Sequence, residues 1–169
     1  MKNLEAKFRL PDLVRAESRA TTIGYTRRAI LNQRDTFFRV GNGKLKLREE
    51  HSGAALILYR RSDSGPLMLS EYEIAPIGDP ATTRDILDRA LGTLATVEKV
   101  RILLMRDNVR LHLDRVASLG DFGEIEAVIA DGEDPEHSRA AVDKTLAALG
   151  IAPADLIDVS YFEMLARRH

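Results

Sequence analysis

The 169-residue chain contains no cysteine. That absence excludes disulfides, thiolate zinc centres and cysteine nucleophiles together. No apolar run approaches the roughly 18 residues that a membrane span needs, so no membrane partner is expected. The opening Met1-Lys2-Asn3-Leu4-Glu5 lacks the apolar block of a secretory leader, and a cytoplasmic location is expected. An excess of one charge is missing as well. Lys and Arg number 25 against 26 Asp and Glu, a formal charge of −1, which excludes a surface that is basic all over and coats nucleic acid.

Several catalytic signatures are also absent. There is no G-x-S-x-G elbow for a serine hydrolase. Gly41-Asn42-Gly43-Lys44 is not a phosphate loop, because Phe38 stands where the first glycine belongs and Leu45 follows the lysine. Asp121-Phe122-Gly123 matches a kinase triplet in a chain far too short for a kinase. His51, His112, His137 and His169 lack zinc-ligand spacing and read as surface or network residues.

What is present is an ordinary globular balance, 44% hydrophobic and 30% charged, in a length that suits one domain over 1–169. Period-2 alternation marks strands over residues 3–10, 33–40, 44–48, 54–61 and 68–76. Pro11-Asp12 opens a helical stretch expected to run to about Leu31, with Gly24 as a break. Ser62-Asp63-Ser64-Gly65-Pro66 reads as a loop. Thr82 or Thr83 would cap a helix with Ile86, Leu87, Leu91 and Leu94 on its apolar face. Val97 to Val116 reads as a hairpin turning at Asp107-Asn108, and a last strand runs from about Glu124 to Ala130. An amphipathic helix spans Pro135 to Leu149, ended by Gly150, with short helices after Pro153 and Ser160.

By parity, the polar residues of these strands share one face. Lys7, Arg9, Lys44, Lys46, Arg48, Lys99, Arg101 and Arg110, with Arg60 if Leu56 and Leu58 share its face, supply nine positive charges. Glu5, Asp114, Glu124 and Glu126 supply four negative ones, an excess of five. Leu4, Ala6, Phe8, Leu45, Leu47, Leu104, Leu111, Leu113 and Ile125 are among those on the opposite face, a surface for the helices to cover. A one-sided wet sheet would explain the pattern. So would about eight antiparallel strands closed into an α+β barrel, with polar residues inside and helices outside. Enclosed cations are tolerable only with water and a polyanion beside them. Carboxylates set apart suit a divalent ion, and the two together suit a metal-bound triphosphate.

The ordered segments resemble a family. Asn3-Leu4-Glu5-Ala6-Lys7 resembles the E-x-E-x-K first strand of the CYTH, or triphosphate tunnel metalloenzyme, family. Gln33 to Phe38, Gly43 to Arg48, Tyr59-Arg60-Arg61 and Lys99-Val100-Arg101 resemble its later strands. Val109 to Val116 and Leu119 to Glu126 are similar to the class IV adenylate cyclase branch. The resemblance implies a closed eight-stranded antiparallel tunnel with helices packed outside. It also implies Mg²⁺ or Mn²⁺ held by Glu5, Glu124 and Glu126. Triphosphate contacts would come from Lys7, Lys44, Lys46, Arg48, Arg60, Lys99, Arg101 and Arg110. Lys7, Arg60, Lys99 and Asp114 are the candidate catalytic set, with Asp114 either assisting the metal or fixing a neighbouring arginine.

The activity so implied is conversion of ATP to cyclic AMP and pyrophosphate. The alternatives are hydrolysis of thiamine triphosphate or inorganic triphosphate, and a nucleotide- or polyphosphate-binding module without turnover. That last alternative follows from Asn3, which replaces the first motif glutamate and brings no charge. A small barrel with exposed helices is compatible with a homodimer, although no apolar stripe marks an interface.

Overall fold

The computed structural model describes residues 2–61, 67–129 and 135–167. In chain order the elements are β1 (Lys2–Arg9), α1 (Leu13–Thr22), β2 (Thr26–Phe38), β3 (Lys44–Glu50), β4 (Gly53–Arg61) and β5 (Leu67–Ile77). Then come α2 (Pro80–Leu91), β6 (Thr93–Arg106), β7 (Val109–Val116), β8 (Gly120–Ile129) and α3 (Pro135–Leu149). A 3-10 turn (Pro153–Asp155), β9 (Leu156–Ile157) and α4 (Tyr161–Ala166) follow. The expected loop over 62–66 lies outside the described residues.

The strands pair antiparallel in the order β5-β4-β3-β2-β6-β7-β8-β1, and β1 returns to β5. The sheet is therefore a closed eight-stranded barrel, with no free edge between its first and last strands. β1 makes this closure by dividing its edge. Lys2 to Ala6 pair with β5, while Lys7 and Phe8 pair with β9, a short ninth strand added outside the ring.

The main apolar core lies outside the barrel wall. Leu4, Ala6 and Phe8 of β1 pack with Leu111, Leu113 and Ile125 of β7 and β8. They meet Leu13, Ala16 and Ala20 of α1 and Val142, Leu146 and Leu149 of α3. Strand alternation makes this possible, since every second residue of β1 points away from the lumen. A second cluster fills one end of the barrel, where Phe37, Val97, Val116 and Phe122 receive Tyr161 and Phe162 of α4.

Two expected helices are corrected. The first ends at Thr22 and not near Leu31, because Gly24 turns the chain at φ +92°. From Thr26 the chain becomes a 13-residue strand, whose Arg27 and Ala29 suit a helix locally but are held by pairing with β6, with Arg28 in a register shift between them. Tertiary pairing overrides local propensity there. The second helix is capped by Asp79, whose Oδ1 accepts the Thr82 amide at 3.0 Å. It stops at Gly92, where φ is +78°, so Leu94 lies in β6 and is exposed. α2 buries no residue, and Ile86 is 59% exposed. Arg84 instead ties it to Glu49 of β3 at 2.7 and 2.8 Å. Among the described residues, no helix is long and apolar enough to cross a membrane.

Candidate functional site: a charged tunnel

The barrel encloses a lumen of about 570 Å³. Alternation points Glu5 and Lys7 of β1, Lys46 and Arg48 of β3, and Lys99 and Arg101 of β6 into it. Arg110 of β7 and Glu124 and Glu126 of β8 join them. Asp114 shares that face of β7 and is wholly buried beneath Arg101.

Three expected cations stand elsewhere. Arg60 is exposed, and β4 turns Ile57 and Tyr59 inward in its place. Arg9 is exposed over the Phe122 ring, 5.1 Å from its centroid. Lys44 is half-buried at the α4 end, where its Nζ donates to Glu163 Oε1 at 3.0 Å. Asp35 of β2 and Glu50 of β3, absent from the sequence-derived set, also line the lumen. The expected basic excess therefore shrinks to six cations against five carboxylates, with Asp114 a sixth just beneath.

Asp35 organises one half of the charge. It is 2% exposed and accepts from four nitrogens. Arg48 Nε and Nη2 reach it at 2.7 Å each, Lys99 Nζ at 2.9 Å and Lys46 Nζ at 3.2 Å. Burial alone would raise its pKa, but Lys46, Lys99 and Arg48 outweigh it and hold the carboxyl well below the usual carboxylate range. Burial and the adjacent Arg48 guanidinium push Lys46 down to about 7, with Asp35 opposing. Burial also lowers Lys99. The sequence signal for Asp35 was its parity with Gln33 and Phe37, both of which line the lumen.

The other half is built around Arg101. Its guanidinium makes a fork with Asp114, Nε to Oδ1 at 2.7 Å and Nη2 to Oδ2 at 2.6 Å, and Nη2 also reaches Glu124 Oε2 at 2.7 Å. Lys7 Nζ donates to Glu124 Oε1 at 3.0 Å. Burial raises the Glu124 pKa, and Lys7, His112 and Arg101 overcome that to leave it well below the ordinary value. Asp114 thus fixes a neighbouring arginine, one of the two roles left open for it in the sequence. It also accepts from the Tyr161 hydroxyl of α4 at 3.0 Å. The Tyr161 ring lies 4.4 Å beneath Lys7 Nζ, an attraction between the cation and the ring face.

The donors present fit a divalent cation. Glu5 and Glu126 are cross-strand partners on β1 and β8, as are Glu124 and His112 on β8 and β7. His112, Glu124 and Glu126 bring one ligand atom each within 4.8 Å of one another. Asn3 is 4% exposed, and its Oδ1 is buried with no hydrogen-bond partner among the described residues. Carboxylate and amide oxygens with an imidazole nitrogen are a donor set that such an ion accepts.

The two ends of the tunnel differ. α4 covers one, with Phe162 stacked on Phe37 at 4.6 Å between centroids. Ser160 caps α4, donating its amide to Glu163 Oε2 at 2.8 Å and its hydroxyl to the same oxygen. Burial raises the Glu163 pKa, but those bonds and Lys44 hold it at about 2. At the far ends of the same inward faces lie Leu31 of β2 and Leu103 and Met105 of β6, beside Arg110 and Glu126.

Comparison with known proteins bears on the whole chain. A family model described as the CYTH domain matches residues 1–161. No curated protein matches. Among solved structures, a conserved hypothetical protein from Pyrococcus furiosus is 24% identical with a TM-score of 0.84, over 95% of this chain and 98% of that one. A putative adenylate cyclase from Vibrio parahaemolyticus is 17% identical with a TM-score of 0.79, over 97% of each chain. A putative adenylyl cyclase from Hippeastrum, described as having a dominant triphosphatase activity, is 18% identical with a TM-score of 0.67. There the match covers 99% of this chain and 96% of that one. At these identities the likeness is one of fold.

Proposed function

The chain belongs to the CYTH domain family, and on that premise we propose that it is a divalent-metal-dependent enzyme that converts ATP to cyclic AMP and pyrophosphate inside its tunnel. One observation carries this reading. Lys46, Arg48 and Lys99 converge on a single buried carboxylate, and Lys7 and Arg101 converge on another, all lining one lumen. Five cations gathered so closely match a ligand that carries several linked negative charges, as a triphosphate does. Leu31, Leu103 and Met105 at the far end offer apolar contact to an organic group on that triphosphate, which favours a nucleotide over the bare inorganic anion.

The residues would work chiefly by alignment and by neutralising charge. Lys7, Lys46, Arg48, Lys99 and Arg101 would hold the phosphates and take up charge on the leaving pyrophosphate. Asp35 and Asp114 would hold those cations in place. Arg110, at the far end, would add a further contact. Arg60, on the outer face, and Lys44, paired with Glu163 at the covered end, would make no direct phosphate contact. Glu5, Glu124 and Glu126, with His112 beside them, would hold Mg²⁺ or Mn²⁺. The ion supplies positive charge where the attacking oxygen meets the phosphates. In cyclisation the ribose 3′-hydroxyl would give up its proton to solvent water as its oxygen bonds to the α-phosphorus and the bond from that phosphorus to pyrophosphate breaks.

A second reading, triphosphate hydrolysis, is favoured by Glu126 and Arg110, which leave the far mouth partly exposed to water. The test is ³¹P NMR of the full chain with Mg²⁺ or Mn²⁺ and, in turn, ATP, thiamine triphosphate and inorganic triphosphate. Pyrophosphate accompanied by cyclic AMP is the expected result. Orthophosphate would establish the hydrolase reading. Intact substrates with shifted resonances would leave a binding module, and no shift for any of them would overturn the assignment of the tunnel.

A further inference from the structure

We propose that His112 is a direct nitrogen ligand in a mixed imidazole–carboxylate cation site with Glu124 and Glu126, and that this site selects a first-row transition-metal dication over Mg²⁺. The inference rests on the metal-dependent reading above and specifies the ion and one of its ligands.

The β7–β8 hairpin builds the site. His112 stands opposite Glu124 in register, and Glu126 is the next inward residue of β8. His112 is 6% exposed. Its Nδ1 lies 3.9 Å from Glu124 Oε2 and 3.7 Å from Glu126 Oε1, too far to hydrogen-bond either one. That nitrogen is buried with no hydrogen-bond partner among the described residues. Ligand atoms about 2.1 Å from a common centre lie at most about 4.2 Å apart. Both separations therefore suit atoms sharing one ion better than atoms sharing a proton.

Glu124 Oε2 already accepts from Arg101 at 2.7 Å, but a carboxylate oxygen has a second lone pair for a cation. A neutral imidazole with two carboxylates would balance the ion's charge. Imidazole favours transition-metal ions, whereas Mg²⁺ prefers an all-oxygen octahedron. Asn3 places a buried amide oxygen with no hydrogen-bond partner among the described residues on the lumen face of β1 next to Glu5, a hard oxygen donor that by itself does not favour one ion over the other.

The test is the electron spin-echo modulation spectrum of the Mn²⁺-loaded full chain, with Mn²⁺ and Mg²⁺ affinities measured by calorimetry. The His51→Gln/His137→Gln/His169→Gln variant leaves His112 as the chain's single histidine, so its spectrum is decisive without altering the site. Imidazole nitrogen modulation is expected in the wild type and in this variant, and its loss is expected in His112→Gln. His112→Gln should also weaken Mn²⁺ by about tenfold or more while barely changing Mg²⁺. Bound Mn²⁺ without nitrogen modulation, no Mn²⁺ binding, or an equal loss for both ions would overturn the inference. Triphosphate turnover without nitrogen modulation would overturn it while leaving the enzyme reading intact. Nitrogen modulation without turnover or triphosphate binding would do the reverse.

Discussion

The Tyr161 hydroxyl donates to Asp114 Oδ2 across 3.0 Å, joining α4 to the carboxylate that orients Arg101. Burial, followed by Asp114 and Glu124 nearby, raises the Tyr161 pKa well above the ordinary phenol value. The hydroxyl therefore stays a donor throughout the working pH range. Tyr161→Phe removes this bond and leaves the ring in place. The expected cost is about 1 kcal/mol of stability, together with faster amide hydrogen exchange over residues 161–166. Unchanged exchange there would show that Phe162 and Glu163 seat the helix without it.

Lys46 should make triphosphate binding depend on pH. Its pKa is about 7 in the folded protein, against 10.5 for an ordinary lysine. A bound polyanion favours the ammonium, so binding takes up a proton above about pH 7, and affinity falls as pH rises further. The limit is tenfold, about 1.4 kcal/mol, per pH unit. Calorimetry in buffers of different ionisation enthalpy should detect that proton, and Lys46→Arg should abolish the uptake. In the unliganded protein the sign reverses. The unfolded chain binds more protons than the folded one between about pH 7 and the ordinary lysine value, so this group alone adds stability as pH rises across that window.

Asp35→Asn should be severe. It leaves Lys46, Arg48 and Lys99 without their shared anion, and breaking a buried ion pair in this way costs about 3–5 kcal/mol. Urea denaturation reads the loss. Saturating inorganic triphosphate should recover part of the lost Tm, because phosphate oxygens replace the missing charge. No recovery would mean that these cations do not face the ligand.

Gly123→Ala tests the wall and not the site. Gly123 pairs directly with Phe8, and a Cβ at Gly123 would overlap the Phe8 ring, which is completely buried. Overpacking of this kind costs about 1–3 kcal/mol. Adding Phe8→Leu should restore part of the stability lost in Gly123→Ala, whereas an isolated Phe8→Leu should only destabilise. Thermal unfolding of the three variants decides it.

Asn3→Glu would restore the acidic pattern of the resemblance. It buries a charge on the face that carries Glu5, so Tm should fall without a divalent ion and rise when Mn²⁺ is added. A large gain in metal-dependent turnover would identify Asn3 as the cause of a weakened site. Unchanged turnover with tighter Mn²⁺ would show that the amide is tolerated.

Much of the tunnel was legible along the chain, because alternation in β1, β3, β6, β7 and β8 places apolar side chains on one face and charged ones on the other. β4 was ambiguous. Ile57 and Tyr59 occupy one of its faces and Leu56, Leu58 and Arg60 the other, so both faces are largely apolar. Pairing with β3 decides the matter, since it sets Lys46 opposite Ile57 and Lys44 opposite Tyr59 and sends Arg60 outward. Asp35 was missed, although its parity with Gln33 and Phe37 points it inward, because its three cationic partners lie on two other strands. His112 read only as a surface or network residue for the same reason, as its carboxylate neighbours come from the next strand across.

The sequence by itself determined which residues share a face, because the period of a strand is local and each side chain's direction follows from its neighbours. It also determined most of the charged residues that line the lumen and the outer apolar surface that α1 and α3 cover. The tertiary structure alone decided which cation meets which carboxylate, that α4 covers one end, and that the lumen is nearly balanced in charge. Those outcomes depend on register and barrel closure, which bring together residues as distant as Lys7 and Glu124, 117 positions apart. No local periodicity encodes a contact over that separation.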